Sequence, residues 1–499
     1  MEIILNAFLN IFHLDTLMAL IIGTFLGIIV GCLPGLTPSM GVALLLPLTF
    51  GMGPLEGITL LASMYCGAMY GGSISAILIG IPGDGAASAT VLDGYPMTKN
   101  GNAGKALGMA AIASFIGGII GVLILLSLSH VLAQFTLKFG PAEYFSLGVF
   151  GLTIVVSLSS KSLVKGLIAG IFGVLLSTVG VDKVSGIYRF TYGITDLTSG
   201  LDFVPVIIGL FAISSILEQV EASFQGHKAN YKDLSFRKLL PSWAEMKLCS
   251  STFLRSGLLG TLIGVLPGAG GTISGFICYN EAKRFSKNSD KFGTGFIEGV
   301  AATEAGNNAA SGGAMVPLMV FGIPGSATTA ILLGAFVVHG LQPGPLLFIK
   351  SPDVAYGVIL SMFIANFVFL AFGLLSVKPF ARLLAIPVQW MNSAILLIAV
   401  VGAYCINLRV FDIGLMLFFG ILGFLMKKNN FTTVPIVLGL VLGPIVENYF
   451  RRALITYGGD YSIFITRPIS AALLLFALFS VAWPFISPRI KKLSIFKKA

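Results

Sequence analysis

Glu304, Asn307 and Asn308 stand about one turn apart in TEAGNNAASGG (Thr303–Gly313), inside an otherwise apolar stretch. A carboxylate and an amide three or four residues on share one helix face. Ionisable groups at membrane depth are rare and face a cavity or a partner. Glu304 therefore reads as a ligand for a coupling cation or proton, and Asn307 and Asn308 as ligands for substrate or cation. Interhelical hydrogen-bond glue is the competing reading, as is a position of Glu304 nearer the interface.

Two further groups of small and hydroxyl residues surround broken helices. GCLPGLTPSMG (Gly31–Gly41) and GVLPGAGGTISG (Gly264–Gly275) each place Pro-Gly inside an apolar stretch. Backbone groups freed there must be satisfied by protein or water. Half-helix N-termini attract carboxylates, and unwound carbonyls can hold a cation. Pro34, Gly35, Thr37 and Ser39 at the first break, and Pro267, Gly268, Gly271, Thr272 and Ser274 at the second, are candidate substrate ligands. The alternative at each break is a kink that eases packing. GIPGDGAASATVLDG (Gly80–Gly94) and GIPGSATTAILLG (Gly322–Gly334) each lead into hydroxyl residues at a helix start. Such an N-terminus is an anion site, so Ser326, Thr328 and Thr329 join the substrate candidates. Asp84 is either a cation ligand or a solvated N-cap. Ser73 and Ser88 join Asp84 and Glu304 as candidate ion ligands. His339, in the turn HGLQPGP, receives no chemical role.

The elements that must position these residues are membrane helices. The chain of 499 residues is 56% hydrophobic and 10% charged, with a mean hydropathy of +0.94. Soluble domains carry about 25% charged residues. Apolar stretches of spanning length recur from 16–33 to 466–488. Several read as half-helices, for an all-α polytopic membrane protein of about 10–13 transmembrane helices plus re-entrant or broken ones. The net charge of +10 reports cytoplasmic loops rather than nucleic-acid binding. The five cysteines show neither a disulfide framework nor zinc spacing. The opening MEIILNAFLN lacks the basic region of a cleavable signal and reads as a short interfacial helix.

Two halves share a pattern. Gly27, Gly31, Leu33, Pro34 and Gly35 match Gly260, Gly264, Leu266, Pro267 and Gly268 at one constant offset. YGGSISAILIGIPG (Tyr70–Gly83) is echoed by SGGAMVPLMVFGIPG (Ser311–Gly325), with a one-residue difference in spacing. No Lys or Arg precedes Lys99, whereas Arg237, Lys238 and Lys247 precede the second break and Lys283, Arg284, Lys287 and Lys291 follow it. By the positive-inside rule the first hairpin starts and ends outside and the second in the cytoplasm. Two inverted-topology repeats are thus expected: 1–225 and 250–465, joined by a cytoplasmic linker, 226–249. A final helix and basic cytoplasmic tail, 466–499, follow, and the N-terminus is periplasmic.

Enzyme chemistry finds little footing. PGDG (Pro82–Gly85) resembles the aspartyl-protease GxGD, but Ile81 stands where its first glycine belongs. HExxH, a nucleophile elbow and Walker A are absent from the sequence. No cofactor is expected beyond a sodium ion or proton as coupling ion.

These motifs resemble the large permease subunit of the tripartite tricarboxylate transporters. LPGLTPSMGVALLLP (Leu33–Pro47), YGGSISAILIGIPG and TEAGNNAASGGAMVPLMVFGIPGSATTAILLGAFVVHGLQPGP (Thr303–Pro345) carry the resemblance, which covers most of the chain. Gly306, where alanine or serine is usual, is the one small departure. The resemblance implies a translocation subunit in a bacterial inner membrane. Its implied partners are a small membrane subunit of about four helices and a periplasmic solute-binding protein. It also implies sodium- or proton-coupled import of citrate or other carboxylates. A stand-alone carboxylate carrier and, from a different class, an intramembrane enzyme are the alternatives.

Overall fold

The computed structural model describes residues 2–136, 138–159, 162–182, 185–221, 239–268 and 270–496. Most of the expected linker, 226–238, lies outside the described residues. So do 222–225, at the end of the first expected repeat. The first half runs through α1 (Glu2–Ile11), α2 (Leu14–Cys32), α3 (Pro38–Leu45), α4 (Pro54–Ile79), α5 (Val91–Lys99), α6 (Ala103–Thr136), α7 (Pro141–Ser159), α8 (Leu163–Ser177) and α9 (Phe203–Glu221). A two-stranded antiparallel ribbon, Gly180–Val181 with Tyr188–Arg189, separates α8 from α9. The second half comprises α10 (Trp243–Val265), α11 (Gly270–Phe285), α12 (Ile297–Phe321), α13 (Ala327–Val338), α14 (Pro345–Lys350), α15 (Pro352–Leu375) and α16 (Val377–Leu383). It closes with α17 (Val388–Asn407), α18 (Val410–Lys428), α19 (Val434–Thr456), α20 (Ile463–Thr466) and α21 (Pro468–Phe496).

The protein is all-α and polytopic, as the composition requires. Among the described residues nine helices are long and apolar enough to cross a membrane. The 25-residue α12 is not one of them. Glu298, Glu304, Asn307 and Asn308 are all buried in protein rather than exposed to lipid, which is how a helix this polar can sit inside a membrane domain. The expected count of 10–13 includes such helices.

Helices α4 and α12 form the centre, buried along almost their whole length. They are held by helices that approach almost to backbone contact. A Cβ on Gly27 or Gly31 of α2 would collide with the carbonyl of Met64 or Ala68 on α4. One on Gly260 or Gly264 of α10 would collide with the carbonyl of Gly306 or Ala310 on α12. Matched glycines thus meet matched carbonyls, the small-residue mode of packing between membrane helices. The departure at Gly306 has the same cause. Cys278 of α11 packs on its other side, where a Cβ would stand 2.8 Å from that of Cys278.

The halves also embrace. The 3-10 turn after the first GIPG, Ala86–Ser88, packs against α11 of the second half. Reciprocally, α13 after the second GIPG packs against α3 of the first. Farther out, α8 packs on α19 and α18 on α9.

Candidate functional site

Both LPG breaks adopt one backbone path. Leu33 and Leu266 leave their helices extended, at φ −87°, ψ 118° and φ −78°, ψ 113°. Gly35 and Gly268 then take φ +86° and +85°, a left-handed turn that side chains other than glycine's resist. At the first break Thr37 caps α3 by accepting from the Met40 amide at 3.2 Å, and its hydroxyl bonds that of buried Ser39 at 2.9 Å. Pro34 is half-buried and Gly35 exposed. The Gly35 carbonyl accepts from Gln219 Nε2 on α9 at 3.1 Å, so protein satisfies one freed group. At the second break Pro267 is buried and the Gly268 amide donates to the Gly325 carbonyl at 2.9 Å. Thr272 is exposed on the tip, beside Gly85. Ser274 is buried, and its hydroxyl donates to the Gly306 carbonyl at 2.8 Å, tying α11 to α12.

The GIPG turns are likewise paired. Gly80 and Gly322 end α4 and α12 in left-handed conformations, φ +72° and +69°. Ser326 caps α13, accepting from the Thr329 amide, while the Thr329 hydroxyl accepts from the Ser326 amide at 2.7 Å. Buried Thr328 lies between them. Asp84 Oδ1 accepts from the Ala87 amide at 3.2 Å, the geometry of an N-cap. Its carboxylate lies against Gly72 of α4. Ser88 is half-buried in the same turn. Ser73 is fully buried and donates to the Tyr70 carbonyl of its own helix at 2.7 Å.

The polar centre forms around Glu304, which is 0% exposed. Thr90 Oγ1 donates to Glu304 Oε1, and Ser114 Oγ of α6 to Oε2 at 2.9 Å. Asn307 Nδ2 reaches Oε1 at 3.2 Å and also the Ala86 carbonyl at 3.2 Å. Asn308 Nδ2 donates to Asn307 Oδ1 at 2.6 Å and to Ser114 Oγ at 2.8 Å. All these partners are neutral, and among the described residues no cationic side chain pairs with Glu304. Thr90 begins α5, as its place in the sequence suggests. Its hydroxyl caps no amide but serves Glu304.

The second tip, the first GIPG turn and the Glu304 cluster thus share one locus, linked through Gly85, Ala86 and Thr90. The first tip and the second GIPG turn share another, through α3 and α13. Tyr65 of α4 stands between the two loci, its phenol beside Ser326 and near Asp84. Spacing did not single out Ser114, Tyr65 or Gln219, since each lies in an ordinary apolar helix far along the chain from its partner.

Two side chains clamp the ends of this assembly. Asp93 of α5 is fully buried. Its Oδ1 accepts from the amides of Gly293, Gly295 and Phe296 at 2.8–2.9 Å, and its Oδ2 from the Tyr279 hydroxyl at 2.9 Å. His339 Nε2 shares a hydrogen bond with Thr49 Oγ1 at 2.9 Å, a structural role for a residue that the sequence left without one.

Comparison with known proteins agrees with this architecture. The profile of the Tripartite tricarboxylate transporter TctA family matches residues 17–438. An uncharacterised 52.8 kDa protein in the TAR-I ttuC' 3'region of Agrobacterium vitis is 38% identical over 456 residues, covering 91% of this chain and 90% of the relative. An uncharacterised protein in the TAR-II ttuC' 3'region of the same organism is 40% identical over 215 residues, 43% of this chain and 89% of the relative. On the family match and the long relative together, the chain belongs to the Tripartite tricarboxylate transporter TctA family.

Proposed function

We propose that this chain is the translocation subunit of a secondary importer for tricarboxylates or related organic anions. A periplasmic solute-binding protein delivers the anion, a small membrane subunit completes the complex, and a sodium or proton gradient across the bacterial inner membrane drives uptake. The observation that carries the coupling is Glu304: a fully buried carboxylate whose partners are hydroxyls and amides. A buried charge without a counter-charge is costly, and a proton or sodium ion joining the cluster removes that cost. Thr90 and Asn307 offer further oxygen atoms to such an ion.

Substrate binds, on this reading, at the two tips. Small residues there let an anion approach backbone N–H groups, and few Lys or Arg compete for it. Pro34, Gly35, Thr37 and Ser39 serve one tip with Ser326, Thr328 and Thr329. Gly268, Gly271 and Thr272 serve the other, with Pro267 and Ser274 shaping it and Asn307 and Asn308 beneath. Asp84, whose carboxylate lies against Gly72 next to Ser73, and Ser88, in the turn whose Ala86 carbonyl accepts from Asn307, are on this reading the groups that tune or share the ion. The reciprocal packing of each GIPG segment on the other half's arm supports two repeats around one pseudo-twofold axis.

The test is uptake of radiolabelled citrate into proteoliposomes holding the complete complex. An imposed sodium or pH gradient should drive accumulation, and Glu304→Gln should abolish the gradient's effect while the protein stays folded. Glutamine keeps the shape and one acceptor oxygen, turns the other into an amide donor and removes the charge, so a fully coupled Glu304→Gln protein would reduce Glu304 to helix-joining glue.

A further inference from the structure

A cleft of about 890 Å³ opens away from the Glu304 cluster, between α7, α8, the ribbon and the C-terminal half of α19. Its depth is apolar and reaches Gly322 and Ile323, the second GIPG turn. Its mouth carries Arg189, Arg451 and Arg452. Arg189 grips Glu447 through both terminal nitrogens, at 2.9 and 3.4 Å. Arg451 joins Asp182 at 2.9 Å and Glu447 at 2.6 Å. Two of the three guanidiniums thus share both carboxylates among the described lining residues. Exposed Arg452 carries no ion pair among the described residues, and the Arg189 Nε is buried without an acceptor.

The cleft sits at the end of α8 and α19 opposite Lys165, whose Nζ donates to the Asn429 carbonyl at 2.6 Å. Lys427 and Lys428 close that other end. Asn100 bonds Thr294 in the basic loop, which is cytoplasmic by the positive-inside rule. From that face α6 runs away, α7 runs back, and α8 starts again at Leu163, so the cleft at the far end of α8 faces outward. Its volume suits a small ligand, and its surplus charge selects anions.

We infer that this cleft is an outward vestibule that captures small carboxylate anions ahead of the second GIPG turn, with Arg452 and Arg189 Nε as the recognising groups. The inference rests on the carrier reading for its purpose, but anion capture can be measured without transport. A lipid phosphate would satisfy the same guanidiniums, so the experiment separates the two sources.

Asn448 lies one turn before Arg452 on α19 and lines the cleft. Asn448→Cys, with exposed Cys405 changed to Ser, is reconstituted in phosphatidylcholine nanodiscs. It is labelled with anionic, cationic and neutral methanethiosulfonates, the neutral rate correcting for accessibility. The anionic reagent should react faster than the cationic one, and Arg452→Gln should lower that ratio about five-fold. Millimolar citrate should slow labelling, and Arg452→Gln should remove the protection. An unchanged ratio, or no protection by citrate in the parent, overturns the vestibule. Protection by phosphatidylglycerol alone assigns the site to lipid and also overturns it. Protection without gradient-driven uptake would keep the vestibule and sink the carrier reading; uptake without protection would do the reverse.

Discussion

At the residue scale, the site is a small set of neutral donors arranged around one carboxylate, and its clamp is a second carboxylate. Asp93 accepts from three backbone amides and a phenol, so Asp93→Ala leaves four donors without their acceptor. With each unsatisfied buried donor costing about 1–3 kcal/mol and partial hydration of the loop, the loss should be about 3 kcal/mol. Thermal unfolding in detergent reads it, and Asp93→Asn, which keeps one acceptor oxygen, should lose markedly less. Equal losses would mean the charge rather than the acceptor geometry holds the loop. Ser39→Ala combined with Thr272→Ala removes one hydroxyl from each tip. Citrate uptake should fall about ten-fold or more at unchanged expression, each lost hydrogen bond being worth about 1 kcal/mol; normal transport would relocate the substrate. The sequence showed Glu304, Asn307 and Asn308 because polar residues in an apolar run are conspicuous. It could not show that Thr90 and Ser114 serve Glu304. Those partners lie 214 and 190 residues away, and single hydroxyls are unremarkable in membrane helices. Asp93 was hidden for the opposite reason. A charge beside Lys99 reads as solvated surface until the loop before α12 folds over it.

At the element scale, the breaks and the glycine ridges were legible because they are written in residue types with one physical use. Pro-Gly inside a span ends a helix, and glycine at every fourth position lets two helices touch. What spacing could not supply was the partner of each ridge, which depends on how the halves embrace. Gly31→Val and Gly264→Val test the ridges in both halves. Each added side chain would collide with a carbonyl, of Ala68 or of Ala310, and helices cannot separate locally without emptying the core. A cost of about 1–3 kcal/mol is expected for each, read as lost folded yield and a lower unfolding temperature. Gly51→Val is the control, since a Cβ there meets nothing within 4 Å; it should stay within about 0.5 kcal/mol of the parent. Comparable damage at Gly51 would show that the losses come from helix propensity rather than contact.

At the scale of the whole molecule, reciprocal packing narrows the arrangement of the halves without choosing a face of the membrane. A pseudo-twofold axis along the membrane normal would put both hairpins on the same side. An axis in the membrane plane would put them on opposite sides. We propose the in-plane axis from charge: Lys283 and Arg284 close α11 and Lys287 and Lys291 follow it, while no Lys or Arg precedes Lys99. The contacts point the same way. Asn100, past the far end of α4 from Pro54, donates to the Thr294 carbonyl in that basic loop at 3.3 Å. Since the 26 residues of α4 rise about 39 Å, Pro54 stands a membrane's thickness from the end where the basic loop gathers. Pro54→Cys and Phe285→Cys, both at exposed positions, should therefore react with an impermeant maleimide from opposite sides. Position 54 should label in intact cells, and position 285 only in inverted vesicles. Labelling of both from one side would leave the matched glycines and carbonyls intact as a repeat, but a parallel one, and would take away the argument for two tips approaching a shared site from opposite faces.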